Sequence, residues 1–157
     1  MKIIYHCFGG SHSSVTAAAL HLGLLAKNRL PAPQELMALP YYDKTNNDDF
    51  GEIHYMGRDE QGNEIYVLGK KSLGNRFSHL LMGVAEMLGK EDQILVVNVM
   101  DRVNISMKLG GFTSRRISIP VLGRPVVIQG TRQAFSSMVN MVEVIKIRVL
   151  NLKTEVK

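Results

Sequence analysis

The sequence has little cysteine and no long apolar run, and Cys7 is its single cysteine. A lone cysteine excludes an intrachain disulfide framework and a multi-cysteine zinc or iron–sulfur site within one chain, and it fits a reducing compartment. The first residues lack the basic start, apolar segment and cleavage site of a signal peptide, and no apolar run approaches the ~18 residues of a membrane span. We therefore expect a cytoplasmic protein that does not engage a membrane.

The chain also lacks internal repeats, linkers and low-complexity tracts over its 157 residues. With 45% hydrophobic and 21% charged residues, its composition is that of a globular protein with a substantial core. We predict a single domain over residues 1–157.

The two signs of charge are separated along the chain, and the net charge is +5. Residues 35–64 carry eight acidic and two basic side chains, whereas residues 101–132 carry six basic side chains and one acid, Asp101. Five of those six cations are arginine, whose planar guanidinium matches phosphate or carboxylate better than an ammonium does. The segment suggests an anionic partner, although scattered cations are also typical of a solvated surface.

The first 27 residues have the most informative pattern. Residues 3–8 form an apolar run, two glycines follow at 9–10, and residues 15–27 are rich in alanine and leucine. This order predicts a strand, a tight turn and a buried helix that Ser13 or Ser14 would cap. Because a helix start exposes unpaired N–H groups and the positive end of a dipole, such a turn can form an anion pocket.

The remaining segments alternate between strand and helix patterns. In chain order they predict a short helix over 34–38, strands over 52–56 and 64–68 around a turn, a helix over 73–88, a strand over 93–99, a short helix over 103–109, a last strand over 125–129, a turn at 130–131 and a long helix over 132–150. We therefore predict an α/β fold of three layers, in which a mainly parallel sheet carries helices on both faces and an inserted β-hairpin, in a P-loop-like or Rossmann-like arrangement.

Two of the predicted helices show an apolar stripe at spacings of three and four residues, which indicates a face that packs on the core. In the helix over 73–88 the stripe consists of Phe77, Leu80, Leu81, Val84, Met87 and Leu88. In the last helix it consists of Ala134, Met138, Met141, Val142, Ile145 and Val149.

Ligands of parallel α/β sheets gather where strand carboxyl ends meet helix amino ends. Three segments are predicted to share that rim, at residues 9–14, 98–102 and 129–132. We expect them to bind a small anionic or phosphorylated ligand, such as a nucleotide, because backbone N–H groups and arginines favour a phosphate. The candidate binding residues are Gly9, Gly10, Ser11, Ser13, Ser14, Asp101, Arg102, Thr131 and Arg132, with Arg115, Arg116 and Arg124 as further charge partners.

The glycine turn departs from the known nucleotide-binding motifs. A P-loop requires G-x-x-x-x-G-K-[ST], and the turn at 9–14 has no lysine. The segment 69–72 contains two lysines and a serine, but Glu64 occupies the place of the first glycine. Nor does the turn match the dinucleotide pattern G-x-G-x-x-G. The residues thus predict a phosphate site without naming a cofactor.

Two residues near the turn are candidates for chemistry. Histidine is the side chain that most often exchanges protons in catalysis, so His12 would serve as the acid or base of a phosphoryl transfer or hydrolysis. Cys7, at the end of the predicted strand and near the helix start, is a conceivable nucleophile, but cysteine phosphatases carry an arginine six residues further on, where this chain has Ser13. A buried, inert cysteine is the alternative. We predict no metal site, because strand alternation separates His6 from Cys7.

Two other functions remain open. In the first, a non-enzymatic regulatory or assembly protein uses its arginine-rich half to bind an acidic partner or the acidic half of a second copy, which would give a homo-oligomer. In the second, the basic chain binds nucleic acid, but five tyrosines, five phenylalanines and no recognisable module give that function little support.

The run from Tyr5 to Val15 and the segments Gly110–Arg116 and Leu122–Arg132 resemble a family of short uncharacterised bacterial proteins found mainly in spore-forming anaerobes and their relatives. The family is a domain of unknown function, so the resemblance implies no substrate, cofactor or catalytic residue. It implies a bacterial cytosolic protein, with sporulation or regulation as its context.

Overall fold

The computed structural model describes residues 1–74, 76–102 and 120–155. Its strands are β1 (Lys2–Cys7), β2 (Ile53–Arg58), β3 (Glu64–Gly69) and β4 (Ile94–Asn98). Its α-helices are α1 (Ser13–His21), α2 (Pro33–Ala38), α3 (Arg76–Met87), α4 (Pro120–Gln133) and α5 (Phe135–Glu155), and short 3-10 helices at Glu91–Gln93 and Val99–Arg102 flank β4. The helix predicted over 103–109 lies outside the described residues.

The four strands form one sheet in the order β2-β3-β1-β4. The central strand β1 runs parallel to both of its neighbours, β3 and β4, whereas β2 pairs antiparallel with β3. Ile3 of β1 is level with Ile65 and Leu95, so apolar side chains line up across the sheet. An α/β fold with a mainly parallel sheet is therefore confirmed.

The two faces of the sheet pack against different parts of the chain. On one face the alternating residues Ile3, Tyr5 and Val67 join a large core with side chains of α1 and α5. On the opposite face Ile4 and Leu68 pack with Phe77 of α3 in a smaller cluster. This alternation follows from the two-residue period of a strand.

Helix α1 is the buried helix that the sequence predicted, but it ends at His21, and residues 22–27 of the predicted segment lie outside it. All nine of its residues are buried, among them three consecutive alanines at 17–19. It contacts β1, β3 and α5, and its small side chains suit a helix enclosed between a sheet and another helix. The stripe predicted for the last helix is also confirmed: Ala134, Met138 and Val149 are buried, although α5 begins at Phe135 rather than Arg132.

The predicted strand over 125–129 is wrong, because these residues lie inside helix α4. The predicted turn at 130–131 is wrong for the same reason. Val126, Val127 and Ile128 are β-branched and favour strands by propensity, but tertiary packing overrides that preference. Val127 is buried in the large core, which a helix achieves as well as a strand does.

The helix predicted from Leu73 begins later, at Arg76, and its apolar stripe is covered only in part. Phe77 is buried, whereas Leu80, Val84 and Met87 are exposed. Periodicity identifies the apolar side of a helix, but it does not show how much of that side another element covers. Within the described part of the chain, no helix combines the length and apolarity that crossing a membrane requires.

The ends of β1 and β3 approach each other at two glycines. A Cβ atom on Gly10 would lie 2.5 Å from the backbone nitrogen of Gly69, and Gly10 has φ of 68°. Two backbone hydrogen bonds extend this contact: the Lys70 N–H donates to the Cys7 carbonyl (3.0 Å), and the Lys71 N–H donates to the Phe8 carbonyl (2.8 Å). The two backbones leave no room for a side chain between them, so the pair of glycines sets the shape of the turn.

We expect Gly10→Ala to destabilise the protein by about 3 kcal/mol or more, because left-handed strain adds to an overlap with backbone atoms that cannot move aside. Gly62→Ala is the matched control, since Gly62 also has positive φ (79°) but has nothing within 4 Å of the added Cβ. The control should lose only ~1–2 kcal/mol. Urea unfolding of the wild type and the two variants measures the free energy of unfolding of each. Equal losses of stability in the two variants would contradict the close backbone contact at Gly10.

Candidate functional site

Three parallel strands end at the same edge of the sheet, and we call the segments that follow them the strand-end rim. After β1 comes the turn at 8–12, after β3 the segment 69–72, and after β4 the residues 98–100. The predicted neighbourhood of residues 9–14 and 98–102 is confirmed, because β1 and β4 are adjacent and parallel. Residues 129–132 belong to α4 and do not follow a strand.

The turn after β1 is compact and internally bonded. Helix α1 begins at Ser13, so His12 occupies the N-cap position predicted for Ser13 or Ser14. The Ser14 hydroxyl lies 3.2 Å from the Cys7 sulfur, and the Gly10 N–H donates to the same sulfur at 3.2 Å. Cys7 is 4% exposed, so its thiol serves the packing of the turn and is poorly placed to attack a substrate in solvent.

A second loop, residues 41–45, folds over this turn. The Asp43 N–H donates to the Ser11 carbonyl (3.2 Å), and the Thr45 hydroxyl donates to the Gly9 carbonyl (3.3 Å). Tyr41 and Asp43 both have positive φ, which non-glycine residues rarely adopt. Ser11 is buried beneath this loop, so part of the predicted anion pocket is covered by the protein itself.

The covering loop connects His12 to an arginine. His12 Nε2 lies 3.2 Å from Asp43 Oδ1, and the Arg124 Nε–H donates to Asp43 Oδ2 at 2.8 Å. The bond with His12, together with Arg124, lowers the pKa of the Asp43 carboxyl against the opposing effect of burial. An imidazole oriented by an ionised carboxylate is the usual arrangement of a general acid or base. The structure thus holds His12 in a defined orientation at the start of α1.

Helix α4 brings two of the predicted residues to this loop. Arg124 and Thr131 are seven residues apart, close to two helical turns, and therefore lie on the same side of α4. The Thr131 hydroxyl lies 2.8 Å from the hydroxyl of buried Tyr42. Arg132 is half-buried, and its Nε has no hydrogen-bond partner among the residues that the structure describes.

The side chains of the other predicted charge partners lie outside what the structure describes. Arg115 and Arg116 lie outside the described residues. The backbone of Asp101 and Arg102 follows β4 as predicted, but their side chains are outside what the structure describes.

Sequence reasoning set Lys70 aside, yet it is a buried cation of the rim. It is 5% exposed, and its Nζ donates to the side-chain oxygen of Asn98 at 3.0 Å. The same oxygen accepts the N–H of Met100 (3.3 Å), so a single amide joins the ends of β3 and β4. A lysine is rarely buried to this extent, because an ammonium loses its hydration there. The sequence feature that could have pointed to this lysine is its position directly after Gly69, the glycine that ends β3.

A buried histidine lies next to this lysine. His6 Nε2 is 2.9 Å from the Ser78 hydroxyl, and the ring contacts Phe77 edge to face with centroids 5.5 Å apart. Burial, with a smaller contribution from the positive charge of Lys70, lowers the pKa of His6 to about 4. A buried ammonium and a buried imidazole thus lie close together at this end of the sheet, and the positive charge of the first disfavours protonation of the second.

An open cleft of about 330 Å³ borders the rim beside β3. It is lined by Phe50, Gly51, Gly69, Lys70, Lys71, Ser72, Leu73 and Phe77. The Lys71 ammonium lies 5.3 Å from the centre of the Phe50 ring, in a cation–π arrangement. The surface of this cleft is mostly apolar, with Phe50, Leu73 and Phe77 in its lining, and two lysines and a serine are its polar members.

The fold and the rim together define an α/β protein with a glycine turn between its central strand and a buried helix. The model of a family described as protein of unknown function (DUF3189) matches residues 2–147, and the chain belongs to that family. Neither the curated proteins nor the solved structures gave a match. The bacterial origin and the sporulation context stay predictions.

We expect the free energy of unfolding to fall by about 3 kcal/mol between pH 7 and pH 4 on account of His6. Its folded pKa of about 4 lies below the unfolded value of ~6.5, so in that window the unfolded chain binds more protons. The contribution is complete above pH 6.5 and is lost as the pH falls.

Urea unfolding at a series of pH values measures this dependence. His6→Gln should flatten the profile, whereas His79→Gln, at an exposed position on α3, should leave it unchanged. A profile of His6→Gln as steep as that of the wild type would show that another group carries the pH dependence.

Proposed function

We propose that this protein binds a phosphate-bearing small molecule, such as a nucleotide, at the strand-end rim. The observation that carries the proposal is the buried side chain of Lys70, which directly follows the glycine that packs on the Gly9–Gly10 turn and lines a cleft. A buried cation that faces the end of a parallel sheet is well suited to an anion, because an anion compensates the hydration that the ammonium has lost.

The glycine turn contributes a second attraction for anions. The N–H groups of the first turn of α1 point away from the helix along its dipole, and an anion near them is stabilised. In a P-loop the lysine follows this same turn. Here Lys70 comes from the neighbouring parallel strand, and we propose that it takes the place of the absent lysine. The fold would then be a three-layer, P-loop-like or Rossmann-like arrangement, with β2 and β3 as its inserted hairpin.

His12 gives the proposed site a candidate for chemistry. Asp43 holds its ring, and Arg124 holds Asp43, so the imidazole has a defined position at the start of α1. In phosphoryl transfer or hydrolysis an imidazole in such a position takes a proton from the attacking hydroxyl or water. The same site therefore supports binding alone or binding followed by reaction, and two separate experiments address them.

The assembly function stays a prediction. It depends on an arginine-rich half that faces outward, but Arg124 pairs with Asp43 of the same chain and Arg132 is half-buried. These two arginines are therefore less available to bind an acidic partner than the sequence suggests.

Isothermal titration with pyrophosphate and with ATP tests the binding proposal. We expect saturable binding to the wild type, and binding weaker by roughly tenfold or more for Lys70→Met, because a hydrogen bond to a charged group is worth ~1.5–3 kcal/mol. Lys90→Met is the matched control, since Lys90 is exposed and precedes β4 at the opposite edge of the sheet. Far-UV circular dichroism verifies the fold of each variant.

Two results would contradict the binding proposal. One is the absence of saturable binding to any polyphosphate. The other is a folded Lys70→Met protein that binds as tightly as the wild type does.

Release of inorganic phosphate from nucleoside triphosphates tests the reaction. If phosphate is released at this site, His12→Asn should lower kcat by ~10²–10⁴-fold, the usual contribution of a general acid or base, and should change ATP affinity little. His79→Asn is the control. Unchanged turnover in His12→Asn would remove His12 from the mechanism.

A further inference from the structure

We propose that Asp49, Glu52 and His54 form a binding site for a divalent transition-metal cation of the zinc class. Each residue offers one ligating atom, and the three atoms lie within 4.8 Å of one another. Ligand atoms held ~2.0–2.2 Å from a tetrahedral zinc lie about 3.4 Å apart, so the three side chains close inward when the metal binds. This inference does not depend on the proposed phosphate binding.

The local sequence brings the three side chains together. The Glu52 N–H donates to the Asp49 carbonyl at 3.1 Å, and Gly51 between them has φ of 88°, which closes a tight turn. Glu52 lies just before β2 and His54 lies within it. Because residues two apart in an extended chain point to the same side, the turn and the start of the strand direct all three groups into one place.

The imidazole of His54 is held in position and has an unsatisfied nitrogen. Its ring stacks on Tyr41 with centroids 4.6 Å apart and planes at 22°. Its Nε2 is inaccessible to solvent and has no hydrogen-bond partner among the described residues. A buried ring nitrogen without a partner costs free energy, and in native structures it usually contacts ordered water, binds an ion or has another function. Coordination of a metal by this ring is such a function.

The Asp49 carboxylate is also oriented by its surroundings. Its Oδ2 accepts the N–H of Asn46 at 2.5 Å, and the Asn46 side chain in turn accepts the N–H of Asp48 at 2.7 Å. Hydrogen bonds to a ligating carboxylate restrict its rotation and leave its other oxygen for the metal. One imidazole and two carboxylates form a mixed nitrogen and oxygen set, which suits zinc better than magnesium, whose preferred ligands are all oxygen.

The position of these residues gives the site a role. Phe50 and Gly51, between the ligands, line the cleft that contains Lys70, and the Gly51 N–H donates to the Gly69 carbonyl at 2.9 Å. A cation at this place would border the cleft and add positive charge to its mouth. That consequence, unlike the site itself, rests on the proposed function.

Titration of the chelator-treated 157-residue chain with Zn²⁺, without phosphate, tests the site. We expect one equivalent to bind per chain, and binding to weaken at least tenfold in His54→Ala and in Glu52→Gln. His79→Ala and Glu86→Gln, at exposed positions on α3, are the matched controls and should bind as the wild type does. Mg²⁺ at the same concentration should not compete.

The proposal is overturned if no stoichiometric Zn²⁺ binding occurs, or if His54→Ala and Glu52→Gln retain it. Loss of binding in His79→Ala as well would assign the metal to other histidines and would also overturn it. Asp49→Asn is a third, independent variant in case one of the others fails to fold. Because phosphate is absent, failure here leaves the Lys70 experiment unaffected, and failure there leaves this one unaffected.

Discussion

The close approach of Gly10 to Gly69 is the constraint on which the rest of the structure depends. With no side chain between them, the turn after β1 lies directly on the end of β3, and two further backbone bonds continue the contact. This close approach brings the backbone of Lys70 next to the turn that leads from β1 into α1. A larger residue at either glycine would push the turn after β1 away from the end of β3. The candidate site is therefore a consequence of backbone packing, before any polar contact forms.

Polar groups then stabilise this arrangement from two sides. Near the rim, Asp43 joins His12 to Arg124, so the first turn of α1 is connected to α4. At the other end of α1, His21 Nδ1 lies 2.8 Å from the Tyr5 hydroxyl and its Nε2 lies 3.1 Å from Asp59. Burial lowers the pKa of His21 despite the carboxylate, which is consistent with a structural role for a neutral imidazole. Both ends of the helix are thus anchored by a histidine and an aspartate.

The sequence predicted the elements whose pattern is local. The apolar run, glycines and alanine-rich segment of residues 3–27 correctly indicated β1, a turn and α1, because each depends on neighbouring residues. The pattern failed at 125–129, where β-branched residues lie in a helix that packs on the core. Motif spacing also gave no role to Lys70, because the position of Lys70 at the rim depends on the parallel pairing of β1 with β3. Likewise, Asp43 and His12 are 31 residues apart, and no periodicity connects them.

The most direct test of the account is a crystal structure of the protein soaked with pyrophosphate. The account predicts an anion at the strand-end rim, with its oxygens within hydrogen-bonding distance of Lys70 Nζ and of backbone N–H groups at the start of α1. An anion bound only elsewhere, with Lys70 still directed at Asn98 and nothing at the rim, would contradict it.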